Sequence, residues 1–197
     1  MPASTGALLL FGAVQATMIG HGIWTGERLW VLQLVGLALA LGGLVGLLLP
    51  GLSAPPLLDS LLMLSAGVAW GVYSLRGKGA CEPIDATAEN FLRAAPIAAA
   101  LRILMHDGAT MDGAGFLYAV SSGALASGIG YAVWYTVLPA LKATNAATVQ
   151  LSVPVIAAFG GIIFLGESVT LRLVLTSSAI LGGIAMVILE KQTAHDK

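Results

Sequence analysis

The chain has 197 residues and a formal net charge of −1; 57% of its residues are hydrophobic and only 10% are charged. Soluble domains carry about 25% charged residues, so this chain has too little polar surface to cover a globule in water. The low charge leaves no footprint for nucleic acid. The single Cys81 excludes an intrachain disulfide and a cysteine-rich metal site. We expect a protein of the lipid bilayer that holds no metal and no cofactor.

Seven apolar segments follow one another, each near the ~20 residues that a bilayer core requires. They cover approximately 7–25, 29–49, 57–76, 86–105, 115–138, 144–165 and 170–189. Runs of this length indicate helices rather than the alternating ten-residue strands of a membrane barrel. Short joints predict antiparallel neighbours in a compact all-α bundle. The fourth segment is the least apolar, because it opens with Asp85, Glu89, Asn90 and Arg93 and contains Pro96.

The first two segments share a layout with the last two. A glycine, a Gly-Glu turn and a Gly-Gly pair occur in both, at Gly20, Gly26–Glu27 and Gly42–Gly43, then at Gly160, Gly166–Glu167 and Gly182–Gly183. Each element recurs 140 positions later, and no gap is needed. We interpret this register as an internal repeat.

The Lys and Arg residues of the joints predict the orientation, because cytoplasmic loops carry an excess of them. One face carries six, namely Arg28, Arg76, Lys78, Lys142, Lys191 and Lys197, and the other carries Arg102 and Arg172. We therefore expect the C-terminus in the cytoplasm and the N-terminus outside the cell membrane. The two Gly-Glu turns then lie on opposite sides. Similar units of opposite orientation are typical of the inverted repeats of secondary transporters.

The fifth segment has the richest candidate binding face. Ser127, Tyr131 and Tyr135 are four residues apart and share one side of a helix, with Trp134 beside them. Aromatic rings with polar tips suit a cavity wall that recognises an amphipathic solute by stacking and hydrogen bonds. The alternative is packing against other helices or a place in the interfacial aromatic belt. Trp70 in the third segment leaves the same two interpretations open.

Two glutamines lie in apolar segments near the bilayer midplane. Gln150 is one turn before Pro154, which cannot donate a backbone hydrogen bond and so frees a carbonyl. Interrupted helices of this kind are where transporters commonly bind solutes or ions. Gln15 occupies a comparable place in the first segment. The alternative is a static kink satisfied by a neighbouring helix.

The fourth segment contains the ionisable cluster closest to the membrane interior. Glu89 and Arg93 are four residues apart and can pair, and Asn90 lies beside them. Embedded charge is a functional candidate. The alternative is that Arg93 extends to the surface, since the cluster lies within two turns of a helix start. Glu27 and Glu167 are expected to have structural roles at their turns.

Three motifs carry a resemblance to a known family. They are the Ser-Gly-x-Gly-Tyr run at 127–131, the Gln-Leu-x-x-Pro-Val run at 150–155 and the two Gly-Glu turns. In this order and spacing the chain resembles the EamA-like transporters of the drug/metabolite transporter superfamily. Asn90 and Arg93 match an Asn-Phe-x-Arg pattern of that family.

The resemblance implies two inverted repeats of five helices each. Residues 1–50 would be the last two helices of the N-terminal repeat, 57–190 the complete C-terminal repeat, and 191–197 a cytoplasmic tail. The chain would then have about seven transmembrane helices of a 5+5-type bundle. About three helices of the pattern would be lacking, which suggests a late start codon, a truncated gene or a fragment.

Three functions compete. The first is a transporter that exports small metabolites or drug-like solutes by alternating access. The second is a truncated, non-transporting protein or subunit that acts only by assembling with a partner, for example as a homodimer through the small-residue face of Gly12, Ala16 and Gly20. The third is an intramembrane enzyme with Ser127 as nucleophile and His21 or His106 as base. Because no Gly-x-Ser-x-Gly or His-Glu-x-x-His motif is present, we expect no enzyme.

Overall fold

The computed structural model describes residues 3–49, 55–78, 82–105, 112–166 and 168–193. The regular secondary structure of these residues is helical. The helices are α1 (Ala3–Trp24), α2 (Val31–Leu48), α3 (Leu57–Gly77), α4 (Pro83–Met105), α5 (Gly113–Val120), α6 (Gly130–Val137), α7 (Ala143–Gln150), α8 (Ser152–Leu165) and α9 (Leu171–Thr193). A π-helical segment, Ser121–Ile129, joins α5 to α6, and a 3-10 turn, Leu138–Ala140, follows α6. The prediction of an all-α fold is confirmed.

Six stretches of the described chain are long and apolar enough to cross a bilayer. They are Ser4–Trp24, Val31–Leu48, Leu57–Gly77, Gly113–Ala140, Ala143–Phe164 and Leu171–Leu189. The predicted fourth segment does form a helix, α4, but it is not among the six. Its acidic and basic side chains lower its hydropathy, as Asp85, Glu89, Arg93 and Arg102 show. The chain is a multi-pass membrane protein.

The two predicted glycine turns take the backbone conformation that requires glycine. Gly26 has φ of 91° and Gly166 has φ of 68°. A side chain is disfavoured in this left-handed region because its Cβ approaches the following carbonyl oxygen. Gly166 ends α8, and its N–H donates to the Gly161 carbonyl. Glu167, which follows it, lies outside the described residues.

The chain divides into two compact units, residues 1–73 with 142–197 and residues 74–141, and the boundary falls within α3. In the first unit α2 packs on α9 and α1 on α7. In the second, α4 packs on α6. This division follows contacts, whereas the sequence boundaries of 1–50 and 57–190 follow the repeat, and the repeat boundaries stay a prediction.

The core of the first unit contains pairs of residues separated by the offset of the predicted repeat. Its buried cluster consists of Phe11, Ala40, Leu44, Leu151, Val155, Ile180 and Ile184. Six of these seven residues form three pairs 140 positions apart: Phe11 with Leu151, Ala40 with Ile180, and Leu44 with Ile184. The first two and the last two apolar segments therefore contribute residues 140 positions apart to one core.

Helices α2 and α9 approach each other closely at two places. A Cβ built on Gly36 would lie 2.7 Å from the Gly183 carbonyl oxygen, and one built on Gly43 would lie 2.9 Å from that of Thr176. The two helices are therefore antiparallel and in backbone contact at both places. Gly36 is 140 positions from Thr176, and Gly43 is 140 positions from Gly183. One contact becomes the other when the repeats are exchanged, which is the pattern expected of a twofold relation between them.

Candidate functional site

Two buried glutamines, one on each helix, lie in the interface where α1 packs on α7. Gln15 is 3% exposed, and its Nε2 donates to the Ala147 carbonyl oxygen at 2.6 Å. Gln150 is 5% exposed, and its Nε2 donates to the sulfur of Met18 at 3.3 Å. The helices are antiparallel, because Gly22 lies against Thr144 further along the same interface. The structure thus brings together the two amides that the sequence singles out.

The Oε1 atoms of both glutamines are buried and accept no hydrogen bond from the described part of the chain. Leaving a buried acceptor unsatisfied costs about 1–3 kcal/mol. Gln33, at the α2–α9 contact, is the informative contrast. Its Oε1 accepts from the Trp30 N–H at 3.1 Å and its Nε2 donates to the Val187 carbonyl at 3.3 Å. An amide in this bundle can therefore be satisfied at both ends, and Gln15 and Gln150 are not.

An interruption between α7 and α8 positions Gln150. Leu151, with φ of −66° and ψ of −12°, separates the two helices. Pro154 has no N–H to donate to the Gln150 carbonyl, four residues before it. The predicted break in this span is therefore present, and Gln150 is the last residue of α7.

Helix α7 contains polar residues that sequence reasoning missed. Asn145 is 3% exposed, and its buried Oδ1 has no hydrogen-bond donor among the described residues. Thr148 is fully buried, and its hydroxyl donates to the Thr144 carbonyl at 2.8 Å. The sequence feature that could have identified them is the run Ala143–Gln150, whose polar residues interrupt an otherwise apolar span.

The Glu27 carboxylate binds the start of α7. Its Oε1 accepts from the Ala143 N–H at 2.8 Å. Its Oε2 accepts from the Thr144 N–H at 3.1 Å and from the Thr144 hydroxyl at 2.8 Å. Sequence reasoning expected a structural role at the α1–α2 turn and did not identify α7 as the contact. No local sequence pattern indicates which helix terminus lies beside the α1–α2 turn.

The second unit holds the aromatic candidates. The rings of Tyr131 and Tyr135 stack, with centroids 5.9 Å apart and planes at 12°. Phe91, which sequence reasoning missed, meets Tyr131 edge-on at 5.7 Å. Tyr135 is 2% exposed, whereas Tyr131 and Trp134 are half-buried. The Trp134 Nε1 is buried and has no acceptor within the described ranges.

A cleft of about 130 Å³ lies beside these rings. It is almost wholly apolar and is lined by Ile84, Thr87, Ala88, Phe91, Gly128 and Ala132. Ser127 is half-buried in the π-helical segment and directly precedes Gly128, which lines the cleft. Asn90 and Arg93 do not line the cleft. Arg93 instead pairs with Glu89 at 2.7 Å, as the spacing allows, and both side chains are exposed.

Trp70 takes part in packing within the first unit. Its ring lies 5.9 Å from that of Phe11. The neighbouring glycines Gly67 and Gly71 let α3 approach α1, where added Cβ atoms would lie 2.7 Å from the Ala13 Cβ and 2.8 Å from the Thr17 Cβ. The role of Trp70 in binding stays a prediction.

The nine predicted site residues fall in both units. Gln15, Trp70 and Gln150 belong to the first, and Asn90, Arg93, Ser127, Tyr131, Trp134 and Tyr135 to the second. Groups of three or more His, Cys, Asp or Glu side chains that could hold a metal are absent from the residues the structure describes. Of the two bases considered for Ser127, His21 lies in the other unit and His106 outside the described residues.

Comparisons with known proteins agree with this architecture. The chain is 55% identical over 188 residues to the uncharacterized protein PA1977 of Pseudomonas aeruginosa, covering 95% of this chain and 66% of that protein. It is 26% identical over 190 residues to the uncharacterized transporter YoaV of Bacillus subtilis, covering 92% of this chain and 65% of that protein. The chain thus spans somewhat less than two thirds of the length of these relatives.

A crystal structure of another protein has the same fold, with a TM-score of 0.85 at 22% sequence identity over 98% of this chain and 70% of that chain. Residues 58–189 match the sequence profile of the EamA-like transporter family. The predicted resemblance is confirmed, and the chain belongs to the EamA-like transporter family.

Proposed function

We propose that this chain works as a membrane transporter that exports small metabolites or drug-like solutes by alternating access. Family membership supports transport in general, as does the similarity to a relative named as a transporter. Six apolar stretches of spanning length supply the membrane framework. The exchanged contacts of α2 and α9 support an inverted repeat, the architecture on which alternating access operates in many secondary transporters.

The observation that carries the proposal is the pair of unsatisfied amide oxygens on Gln15 and Gln150. A bilayer core holds no bulk water to satisfy such groups. N–H or O–H donors of a solute bound between α1 and α7 would satisfy these oxygens and recover the cost of leaving them unpaired. We therefore assign these two residues to solute binding.

The aromatic face of the second unit is a separate candidate region for contact with apolar groups. Tyr131 presents a half-buried ring beside the apolar cleft, and Ser127, Trp134 and Tyr135 lie on the same helical stretch. Stacking and apolar contact in this unit would hold an aromatic ring or hydrocarbon chain. The proposed solute-binding residues also include Asn90, Arg93 and Trp70.

Transport can be tested in proteoliposomes with ¹⁴C-labelled phenethylamine, tryptamine and phenylacetamide, which combine an N–H donor with an aromatic ring. We expect counterflow above protein-free liposomes for at least one of them. Gln15→Leu and Gln150→Leu should each lower that uptake roughly tenfold, since a lost hydrogen bond to the solute is worth about 1.4 kcal/mol.

Gln33→Leu is the matched control, because it removes a buried amide whose two ends are already satisfied. It should retain uptake in protein that remains folded. If Gln33→Leu lowers uptake as much as the other two variants, the binding assignment is wrong. If the folded wild type transports none of the three probes, the proposed solute chemistry is wrong.

Assembly with a partner is the second candidate, and the small-residue face of α1 favours it. Gly12, Ala16 and Gly20 are exposed, and a Cβ added at either glycine would meet nothing within 4 Å. Such a face lets another helix approach closely, including that of a second copy. Gly12→Leu should then shift a dimer to monomer in native mass spectrometry, and an unchanged mass would remove this candidate.

A further inference from the structure

Glu27 joins two parts of the chain that are far apart in sequence. It lies in the α1–α2 turn, and its carboxylate accepts three hydrogen bonds from Ala143 and Thr144 at the start of α7. Carboxylates are stabilised at helix N-termini by the unpaired N–H groups and the helix dipole. The position that usually provides a cap is Lys142, which forms no side-chain cap hydrogen bond. The cap of α7 is therefore supplied by Glu27, from the turn between α1 and α2.

The backbone around Glu27 is shaped for this contact. The Glu27 N–H donates to the Gly22 carbonyl at 2.8 Å, and Gly26 takes the positive φ that turns the chain toward α7. A Cβ at Gly22 would lie 2.7 Å from the Glu27 Oε2 and 3.0 Å from the Thr144 hydroxyl. Glycine at 22 thus leaves the space that the carboxylate and the hydroxyl occupy.

The contact lies at one end of the α1–α7 interface, in line with the glutamine pair. Further in from the contact between Glu27 and Thr144, Gln150 donates to the Met18 sulfur and Gln15 donates to the Ala147 carbonyl. Thr144 is 2% exposed, and Met18 and Thr148 are fully buried. Access to the amides from this end requires α7 to separate from the α1–α2 turn.

We infer that Glu27 is the latch of a gate that closes this end of the α1–α7 interface. Loss of the carboxylate contact removes three hydrogen bonds at once and leaves the first N–H groups of α7 without their cap. The start of α7 can then move away from α1 while the core contact between α2 and α9 stays in place. This positioning role rests on the geometry of the latch and needs no particular solute.

Thiol labelling of the full chain in detergent micelles tests the inference. In a Cys81→Ser background, Thr148→Cys places a thiol inside the interface, and the cationic reagent MTSET reports its accessibility. We expect Glu27→Gln and Glu27→Ala to raise the labelling rate at least tenfold. Thr144→Val, which removes one of the three donors, should raise it about threefold, whereas Thr144→Ser should leave it unchanged.

Two controls separate gate opening from general loosening. Ser177→Cys reports from a buried position on α9, and its labelling rate should not change in the Glu27 variants. Glu82→Gln removes an exposed carboxylate that directly precedes α4, and it should not change labelling at Thr148→Cys. Equal acceleration at both reporter positions would overturn the latch, as would no acceleration at Thr148→Cys. If the Glu27 variants do not fold, the comparison of Thr144→Val with Thr144→Ser decides.

The labelling readout also separates the latch from the proposed transport function. Uptake that is lost while labelling stays unchanged would overturn the latch and leave the transport proposal standing. Accelerated labelling in a chain that transports none of the probes would support the latch and contradict the proposed solute chemistry.

Discussion

At the scale of single residues, adjacent glycines have opposite surroundings. Gly43 faces α9, where a Cβ would lie 2.8 Å from the Ile180 Cγ1 and 2.9 Å from the Thr176 carbonyl oxygen. Gly42, its neighbour, would gain a Cβ with nothing within 4 Å. Both belong to the same helix and the same repeat motif, so only the packing distinguishes them.

This difference predicts opposite effects of the same substitution. Gly43→Ala should destabilise the protein by about 1–3 kcal/mol, because the helices must separate to admit the methyl group. For a chain of this length that corresponds to a fall in melting temperature of roughly 2–4 °C per kcal/mol, measurable by thermal unfolding in detergent.

Gly42→Ala is the matched control and should leave the melting temperature unchanged or raise it, since alanine is favoured over glycine within a helix by roughly 0.5–1 kcal/mol. Equal melting temperatures for the two variants would contradict the close approach of α2 and α9 at Gly43.

At the scale of elements, the π-helical segment Ser121–Ile129 distinguishes the Gly113–Ala140 stretch from the other spans. A π-helix holds more residues in each turn than an α-helix, because its hydrogen bonds join residues five apart. The segment therefore contains surplus chain, and it leads directly into Tyr131 and the cleft residue Ala132.

Because the π-helical segment contains extra residues, we expect the protein to tolerate the deletion of one residue there. Removing Gly123 should convert part of the segment to α-helix and leave α5 and α6 close to their present register. Circular dichroism should show retained helix content, and thermal unfolding should stay cooperative. Removing Gly182 from α9 should cost more than about 2 kcal/mol, because the deletion rotates the buried Ile184 and Val187 away from α2. Equal tolerance of both deletions would contradict the π-helical assignment.

At the scale of the whole molecule, the sequence predicts which turn faces the cytoplasm. In the seven-span topology that the sequence predicts, the excess of Lys and Arg lies on the side of the α1–α2 turn, which carries Glu27. The latch would then close the cytoplasmic end of the α1–α7 interface.

Thiol labelling in intact cells tests this orientation, again without Cys81. Ser168→Cys should react with an impermeant maleimide added outside, whereas Thr25→Cys should react only after the membrane is permeabilised. Both positions are exposed in the structure, so accessibility depends on the side of the membrane. The reverse pattern would place the C-terminus outside and the latch at the outer end.

The sequence by itself determined the features that rest on local composition and spacing. Apolar runs near 20 residues predicted the spans, and glycine at 26 and 166 predicted turns that the positive φ values bear out. The offset of 140 predicted an internal repeat, and residues with that offset, such as Phe11 and Leu151, belong to one core. Gln15 and Gln150 were recognisable because a polar side chain inside an apolar run must find a partner.

Only the tertiary structure decided which groups meet. The cap that Glu27 gives to α7 joins positions more than 100 residues apart, and the Phe91–Tyr131 contact joins different helices. Gln33 is satisfied, whereas the Oε1 of Gln15 has no donor among the described residues; both lie in apolar helices, and they differ in the atoms that surround them. Hydropathy and spacing describe each helix separately, whereas hydrogen bonding and close packing depend on the helix that lies against it.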